Sequence, residues 1–463
     1  MAFSWYPGKT SLTYTHSKVP LILPSKTGGA SRALPELCKD IIPECSLNPL
    51  LFNGHLQTFW TATNRGGPPV HYKRRVFSAE NPKFDGTFAV DFVVAPPKEK
   101  DEAAVDGGPE DEGLREDPAG VGHHRLPPRT TYFTDKEFES LPSASSTKPL
   151  LIALHGLSGG SYEVYLRHVL APLVAATSEG EKAGGLSGGD WEALVVNSRG
   201  CAGSKITTSI LYNARATWDI RQIVKWCRET WPKRPLFGIG FSLGANIMAN
   251  YLGEEGTSCP LSSAILVSNP WNLDTSSQTL QRTYLGLNVY SKTMGTSMLK
   301  LYNTHASQIP HLSSAKVNSI TYLHEFDREV QCATWGYPTE GAYYRDASSC
   351  DSVLGIRVPT LCLHAKDDPI ASDEGVPYGE IKQNPYVVMC ATGGGGHLSW
   401  FEWGGGRWFT KPTVAFLNAM AKDVAFEKIE MPEVVDAEGK AVHKTPFVFE
   451  PMRRKLHIPG NEQ

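Results

Sequence analysis

No run of roughly 18 consecutive apolar residues occurs in this 463-residue chain, so no segment is read as a helix crossing a bilayer. The opening stretch, Met1-Ala2-Phe3-Ser4-Trp5-Tyr6-Pro7, lacks the basic segment and apolar core of a secretory leader. An excess of one charge is also missing. With 45 basic and 48 acidic residues the net charge is −3, and nothing argues for a nucleic-acid partner. The 9 cysteines are odd in number, scattered and without CxxC pairs, which argues against a disulfide frame or a zinc site. Cys227, Cys362 and Cys390 fall in apolar segments and read as reduced, buried thiols. These absences lead us to expect a cytoplasmic, non-secreted protein without a metal or other cofactor. Peripheral attachment to a membrane or lipid droplet stays compatible with the composition. At 41% hydrophobic residues the chain can bury a large core.

What is present is more telling. Gly240-Phe241-Ser242-Leu243-Gly244 follows a short apolar run, Pro235-Leu236-Phe237-Gly238-Ile239. It precedes a stretch with Leu243, Ile247, Met248 and Tyr251 at helical spacing. A bare GxSxG arises by chance in many chains. Between strand and helix it has a physical reason: the glycines leave room for a sharp turn that exposes the serine at the sheet's carboxyl edge, beside a helix N-terminus. Ser242 is thus a candidate nucleophile.

A serine hydroxyl is a weak nucleophile alone, so a base and an orienting acid must follow, in the order Ser, Asp or Glu, His. The strand-like segment 358–364 runs into Asp367-Asp368-Pro369-Ile370. The spacing to Ile370 selects Asp368 as the acid and leaves Asp367 to cap or bind the turn. After the next strand, 386–390, a Gly393-Gly394-Gly395-Gly396 loop delivers His397. Of the 14 histidines only His443 and His457 also follow Asp368, both in a polar tail, so His397 is the candidate base. An oxyanion needs two N–H donors. Leu243 supplies one, and Leu157, in the His155-Gly156-Leu157-Ser158-Gly159-Gly160 loop after strand 150–154, supplies the other. His155 reads as a pin for that loop rather than as a catalyst.

Alternating strands and helices from Leu150 to Ala391 predict an α/β fold, with a mostly parallel sheet covered on both faces. The expected organisation is an extended N-terminal segment over 1–60, one domain over 61–423 and a polar tail over 424–463. Within the domain, Phe88, Val90, Phe92 and Val94 alternate as in an antiparallel edge strand. Residues 96–147 read as a solvated, disordered insertion: from Lys98 to Asp117 there are nine acidic and three basic residues. An aromatic-rich break in the alternation, 270–353, reads as a helical cap whose aromatics divide between its own core and an acyl pocket.

The segments 48–58 (Asn-Pro-Leu-Leu-Phe-Asn-Gly-His-Leu-Gln-Thr), 155–163, 197–204, Phe326-Asp327, 343–349 and 367–370 resemble signatures of the AB-hydrolase group 4 family. Among its members the chain resembles the fungal medium-chain fatty acid ethyl ester synthase/esterases. The resemblance implies an α/β-hydrolase fold with a helical cap, and it places Ser242, Asp368 and His397 on the family's nucleophile, acid and base. It further implies a serine hydrolase/acyltransferase that makes and cleaves medium-chain acyl ethyl esters, with acyl-CoA as co-substrate and an alcohol as acceptor. A lipase or phospholipase acting on glycerolipids, and a silent lipid-binding protein, are the alternatives. The complete Ser/Asp/His set argues against the silent protein. Arg199, Gly200 and His55 are expected to brace the site.

Overall fold

In the computed structural model, which describes residues 8–64, 66–97, 126–182, 184–312 and 314–430, ten strands form one sheet. In chain order they are β1 (Leu12–Thr15), β2 (His71–Ser78), β3 (Thr87–Val94), β4 (Thr130–Tyr132) and β5 (Leu150–Leu154). Then come β6 (Glu192–Val196), β7 (Leu236–Phe241), β8 (Ser263–Val267), β9 (Thr360–Ala365) and β10 (Val387–Thr392). Their spatial order is β1-β10-β9-β8-β7-β5-β6-β3-β2-β4. β6, β5, β7, β8, β9 and β10 run parallel, and every one of their residues is buried. Burial on both faces is why these segments are continuously apolar rather than alternating. Strand order reverses between β5 and β7, and the crevice at that reversal is where open α/β sheets bind ligands.

The helices that matter for the site are α1 (Leu34–Ile41), α2 (Gly54–Thr63), α3 (Val164–Val174), α4 (Trp218–Thr230) and α5 (Leu243–Glu255). They continue as α6 (Leu273–Arg282), α7 (Lys292–His305), α8 (Glu340–Ala347) and α9 (Thr410–Asp423). In α4 the stripe Ile220, Ile223, Val224 and Cys227 is buried, as its spacing predicts.

Three expectations need correction. The N-terminal segment is not merely extended. β1 pairs antiparallel with β10 at the sheet's edge, α1 buries Leu34, Leu37 and Cys38, and α2 reaches the candidate site. Second, β3 is not an edge strand, because β6 and β2 flank it on either side. Third, within 96–147 the residues from 130 to 139 form a strand and a short helix rather than a disordered stretch. β4 pairs parallel with β2, and Phe133 packs against Phe92 and Phe138 at 5.5 Å between ring centroids. Such non-local pairings leave little trace in local composition. Residues 98–125 and 431–463, where the acidic run and most of the tail fall, lie outside the described residues.

The departure at β3 has a chemical cause. Asp91, in its middle, is fully buried and takes two bonds from Arg74 of β2, at 2.6 and 2.8 Å. It also accepts from Ser161 Oγ at 2.6 Å and Asn197 Nδ2 at 2.8 Å. Burial alone would raise its carboxyl, but the Arg74 charge and these bonds prevail and hold it below the usual carboxylate range. This cluster ties the β2–β3 hairpin to the loop after β5 and to the end of β6. Asp91→Ala would strand a buried guanidinium, at a cost of about 3–5 kcal/mol, and should lower the melting temperature sharply. Because the folded pKa is depressed, Asp91's contribution is present above the unfolded carboxyl value of ~3.9 and is lost as pH falls through the lower folded value. Acid titration of stability in wild type against Asp91→Asn checks the sign; parallel curves would contradict it.

Candidate active site

Ser242 lies between β7 and α5 with φ 52° and ψ −121°, a conformation a side chain rarely adopts. The close packing around it explains the flanking glycines. A Cβ on Gly240 would stand 2.4 Å from Gly244 O, and one on Gly244 would stand 2.4 Å from His155 O. The Ser242 N–H donates to Val267 O at 2.9 Å, which anchors the turn to the end of β8.

The three residues singled out by chain order meet here. His397 Nε2 lies 2.8 Å from Ser242 Oγ, and its Nδ1 lies 2.8 Å and 3.1 Å from the two carboxylate oxygens of Asp368. An ionised carboxylate only accepts, so Nδ1 carries the proton and Nε2 is left to accept from the serine hydroxyl. Asp368 is fixed in turn, since its Oδ1 accepts from the N–H groups of Ile370 and Ala371 at 2.8 and 2.9 Å. The neighbouring Asp367 faces the other way and accepts from the Gly396 N–H at 2.9 Å, holding the glycine-rich loop.

Leu157 and Leu243 line the same cavity as Ser242. Leu243 is the first residue of α5, so its N–H has no intrahelical partner. The loop carrying Leu157 is braced from several sides. The Gly156 N–H donates to Tyr165 Oη at 2.8 Å, and the Ser158 N–H donates to Tyr212 Oη at 2.9 Å. His155 accepts from the Ser198 N–H at Nε2, 3.0 Å away, and its Nδ1 lies 2.7 Å from Gly156 O. Burial pushes its ring pKa down to about 4, so it stays neutral and structural. Arg199 is buried in a two-pronged pair with Asp219 at 2.7 and 2.9 Å, away from the triad. Of the aromatics in 270–353, Trp271 and Phe326 are fully buried, whereas Tyr343 and Tyr344 line the cavity.

The role of segment 48–58 was not read from the sequence. The His397 N–H donates to Thr58 Oγ1 at 2.9 Å, while the Thr58 hydroxyl donates to Gly54 O at 2.6 Å. Gln57 Oε1 accepts from the Phe401 N–H at 2.8 Å, and Thr61 Oγ1 meets Ser399 Oγ at 2.7 Å. Gly54 must be glycine because a Cβ there would overlap Asp367 O at 1.8 Å. α2 is therefore a clamp on the histidine loop. The signal was the density of polar residues on a short helix, but nothing local names their partner 339 residues away. His55, on the same helix, stacks on Tyr290 with centroids 5.7 Å apart and bonds its hydroxyl at 2.9 Å. Among the described residues no group of three or more His, Cys, Asp or Glu side chains could hold a metal ion.

A serine on a strand–turn–helix corner, bonded to a histidine that a carboxylate orients, defines the class of serine hydrolases. The chain belongs to the alpha/beta hydrolase fold family, whose sequence pattern matches residues 149–402. It is 33% identical over 422 residues to a monoacylglycerol lipase of Saccharomyces cerevisiae, covering 86% of this chain and 89% of that one. To the medium-chain fatty acid ethyl ester synthase/esterase 2 of the same yeast it is 30% identical, covering 80% and 85%. A mouse phospholipase, ABHD3, is 32% identical over 261 residues, 56% of this chain and 60% of that one.

The clamp generates a prediction. Thr58→Val removes both bonds of the hydroxyl, and displacement of His397 by a fraction of an ångström should lower kcat/KM for ester substrates by about tenfold, mostly in kcat. Thr58→Ser should restore it. A Thr58→Val enzyme with unchanged kcat, or one that serine fails to rescue, would remove the clamp from the account.

Proposed function

We propose that the protein is a carboxylic ester hydrolase and acyltransferase for medium-chain fatty acyl substrates, working through an acyl-serine. The carrying observation is the unbroken hydrogen-bonded chain from Ser242 through His397 to Asp368, opening on a cavity lined by Leu157, Leu243, Leu273, Met298 and Ile370. His397 takes the serine proton as Oγ attacks the acyl carbonyl, and Asp368 stabilises the resulting imidazolium. The Leu243 and Leu157 N–H groups hold the oxyanion; loss of one such donor typically costs about 2.7–4 kcal/mol of transition-state stabilisation. Collapse of the tetrahedral adduct expels an alcohol, or the thiolate of acyl-CoA, which leaves with the His397 proton. Water or an alcohol then attacks the acyl-serine, gives its proton to His397, and departs as acid or ester while Ser242 recovers its hydrogen. Residues 270–353 serve as the cap.

The yeast relatives' names, a monoacylglycerol lipase and an ethyl ester synthase/esterase, support acyl ester chemistry. Phe52 and Phe59 flank His55 and are 78% and 62% exposed, and Tyr284, on the segment leading to Tyr290, is 79% exposed. These exposed apolar side chains, on two segments joined by the His55–Tyr290 stack, support peripheral contact with a lipid surface.

The test is purified protein with octanoyl-CoA and ethanol in water, with ethyl octanoate and octanoic acid tracked together and Ser242→Ala as the blank. Ethyl ester at a substantial fraction of the acid is expected, with neither product from the blank. Acid alone would strike out the transfer half, and turnover by Ser242→Ala would sink the whole assignment. Phosphatidylcholine vesicles added to the same reaction should carry the enzyme down on sedimentation; enzyme left in the supernatant would remove the lipid contact.

A further inference from the structure

Two segments with no part in the catalytic cycle meet on the wall of the Ser242 cavity. Asp327, of Phe326-Asp327, and Tyr344, of 343–349, both line it. The Tyr344 hydroxyl donates to Asp327 Oδ2 at 2.7 Å. The other oxygen, Oδ1, takes no bond from the described residues and is not closed off by packing; Asp327 keeps 7% of its surface open. Asp327 also begins a π-helical turn, Asp327–Gln331, a rare form that is frequent at functional sites.

The cavity runs between two groups of residues. Leu157, Ser242 and Ile370 come from loops that follow β5, β7 and β9, whereas Met298, Leu323 and Asp327 belong to 270–353. The fields differ in the same sense. Asp327 feels the charge of Glu340 on α8, while Tyr290 feels that of Asp368. Asp327 thus stands at the end away from the triad. An acyl chain that starts at Ser242 Oγ passes a largely apolar wall first and meets this carboxyl last. Covering a carboxylate with alkyl groups is costly, and covering a neutral carboxyl much less so.

The titratable and charged groups around Asp327 are Glu340, Tyr343 and Tyr344 of α8, Cys332, and His324 and Arg328 of its own segment. Arg328 pairs with Glu329 and Glu340 instead. Burial pushes Asp327 up to about 7 and Cys332 up to about 12, raises both phenols well above their usual value, and lowers His324. Near neutrality Asp327 changes charge while the thiol, the phenols and the imidazole beside it do not.

We propose that Asp327 sets the length of acyl chain that Ser242 can process: chains that end short of its carboxyl are accepted, and longer ones must cover it. This rests on the ester-hydrolase reading above and assigns the residue behind its medium-chain preference. The carboxyl touches the far end of the chain and takes no part in the bond making at Ser242, so it acts on substrate choice.

The experiment follows kcat/KM of wild type for ethyl butanoate and for ethyl dodecanoate from about pH 6 to about pH 8.5, through the acid released. His397 serves both esters alike, so its titration cancels in the dodecanoate/butanoate ratio. That ratio should fall by at least about tenfold across the range, because the neutral form of a group titrating near 7 dwindles to a few per cent. Asp327→Asn keeps an acceptor for the Tyr344 hydroxyl without the charge and should make the ratio independent of pH. Asp327→Leu should raise it by at least about tenfold at the upper end of the range. A ratio flat with pH in wild type would overturn the proposal, as would a slope that survives in Asp327→Asn. The wild-type ratio needs no variant to fold. Cleavage of neither ester would instead overturn the underlying ester-hydrolase reading, so the two failures are distinguishable.

Discussion

The structure around the site depends on one strained turn. Ser242 is held at positive φ, a conformation that costs about 1–3 kcal/mol for a residue with a side chain. The cost is met by the backbone packed on either side: Gly240 against Gly244 and Ala245, Gly244 against the carbonyls of Leu154 and His155, and the Ser242 N–H on Val267 O. β5, β7 and β8 must therefore lie in register before the serine can point out of the sheet. In their register Gly240 lies opposite Leu154 of β5 and Leu266 of β8, which sets the serine turn beside the ends of both neighbours.

Around that turn, parts of the chain far apart in sequence supply the remaining groups. β9 and β10 end in the loops that carry Asp368 and His397, and the reversal of strand order between β5 and β7 opens the crevice into which both reach. α2, near the N-terminus, closes the arrangement by bonding the His397 backbone through Thr58 and the Phe401 backbone through Gln57. Toward the other end of the sheet the buried Arg74–Asp91 pair holds Ser161, and so the loop that carries Leu157. The polar side chains of a short helix near residue 58 and a buried ion pair thus do for the loops carrying His397 and Leu157 what close packing does for the serine.

The parts legible in the sequence are those whose cause is local. A glycine-flanked serine between strand and helix, a carboxylate at a strand end and a histidine in a glycine loop each carry their reason within about ten residues. Local context and chain order together singled out Ser242, Asp368 and His397, and the three lie in hydrogen-bond contact. Burial of the parallel strands was legible for the same reason, as short continuous apolar runs. What escaped depends on distant partners. β1 is four residues long and its strand partner lies near residue 390; β4 sits in a segment of solvated composition and is held by Phe133 against Phe92. The α2 clamp and the polar lining of the cavity are likewise meetings of residues whose types are ordinary and whose neighbours are not local.

The central claim is that Ser242 is a nucleophile activated by His397. The most direct measurement is covalent labelling with a fluorophosphonate, followed by peptide mapping in wild type and in His397→Ala. The account predicts a single adduct on the peptide bearing Ser242, with labelling slowed by at least about a hundredfold in His397→Ala. An adduct on another serine, or equal labelling rates in the two proteins, would contradict it.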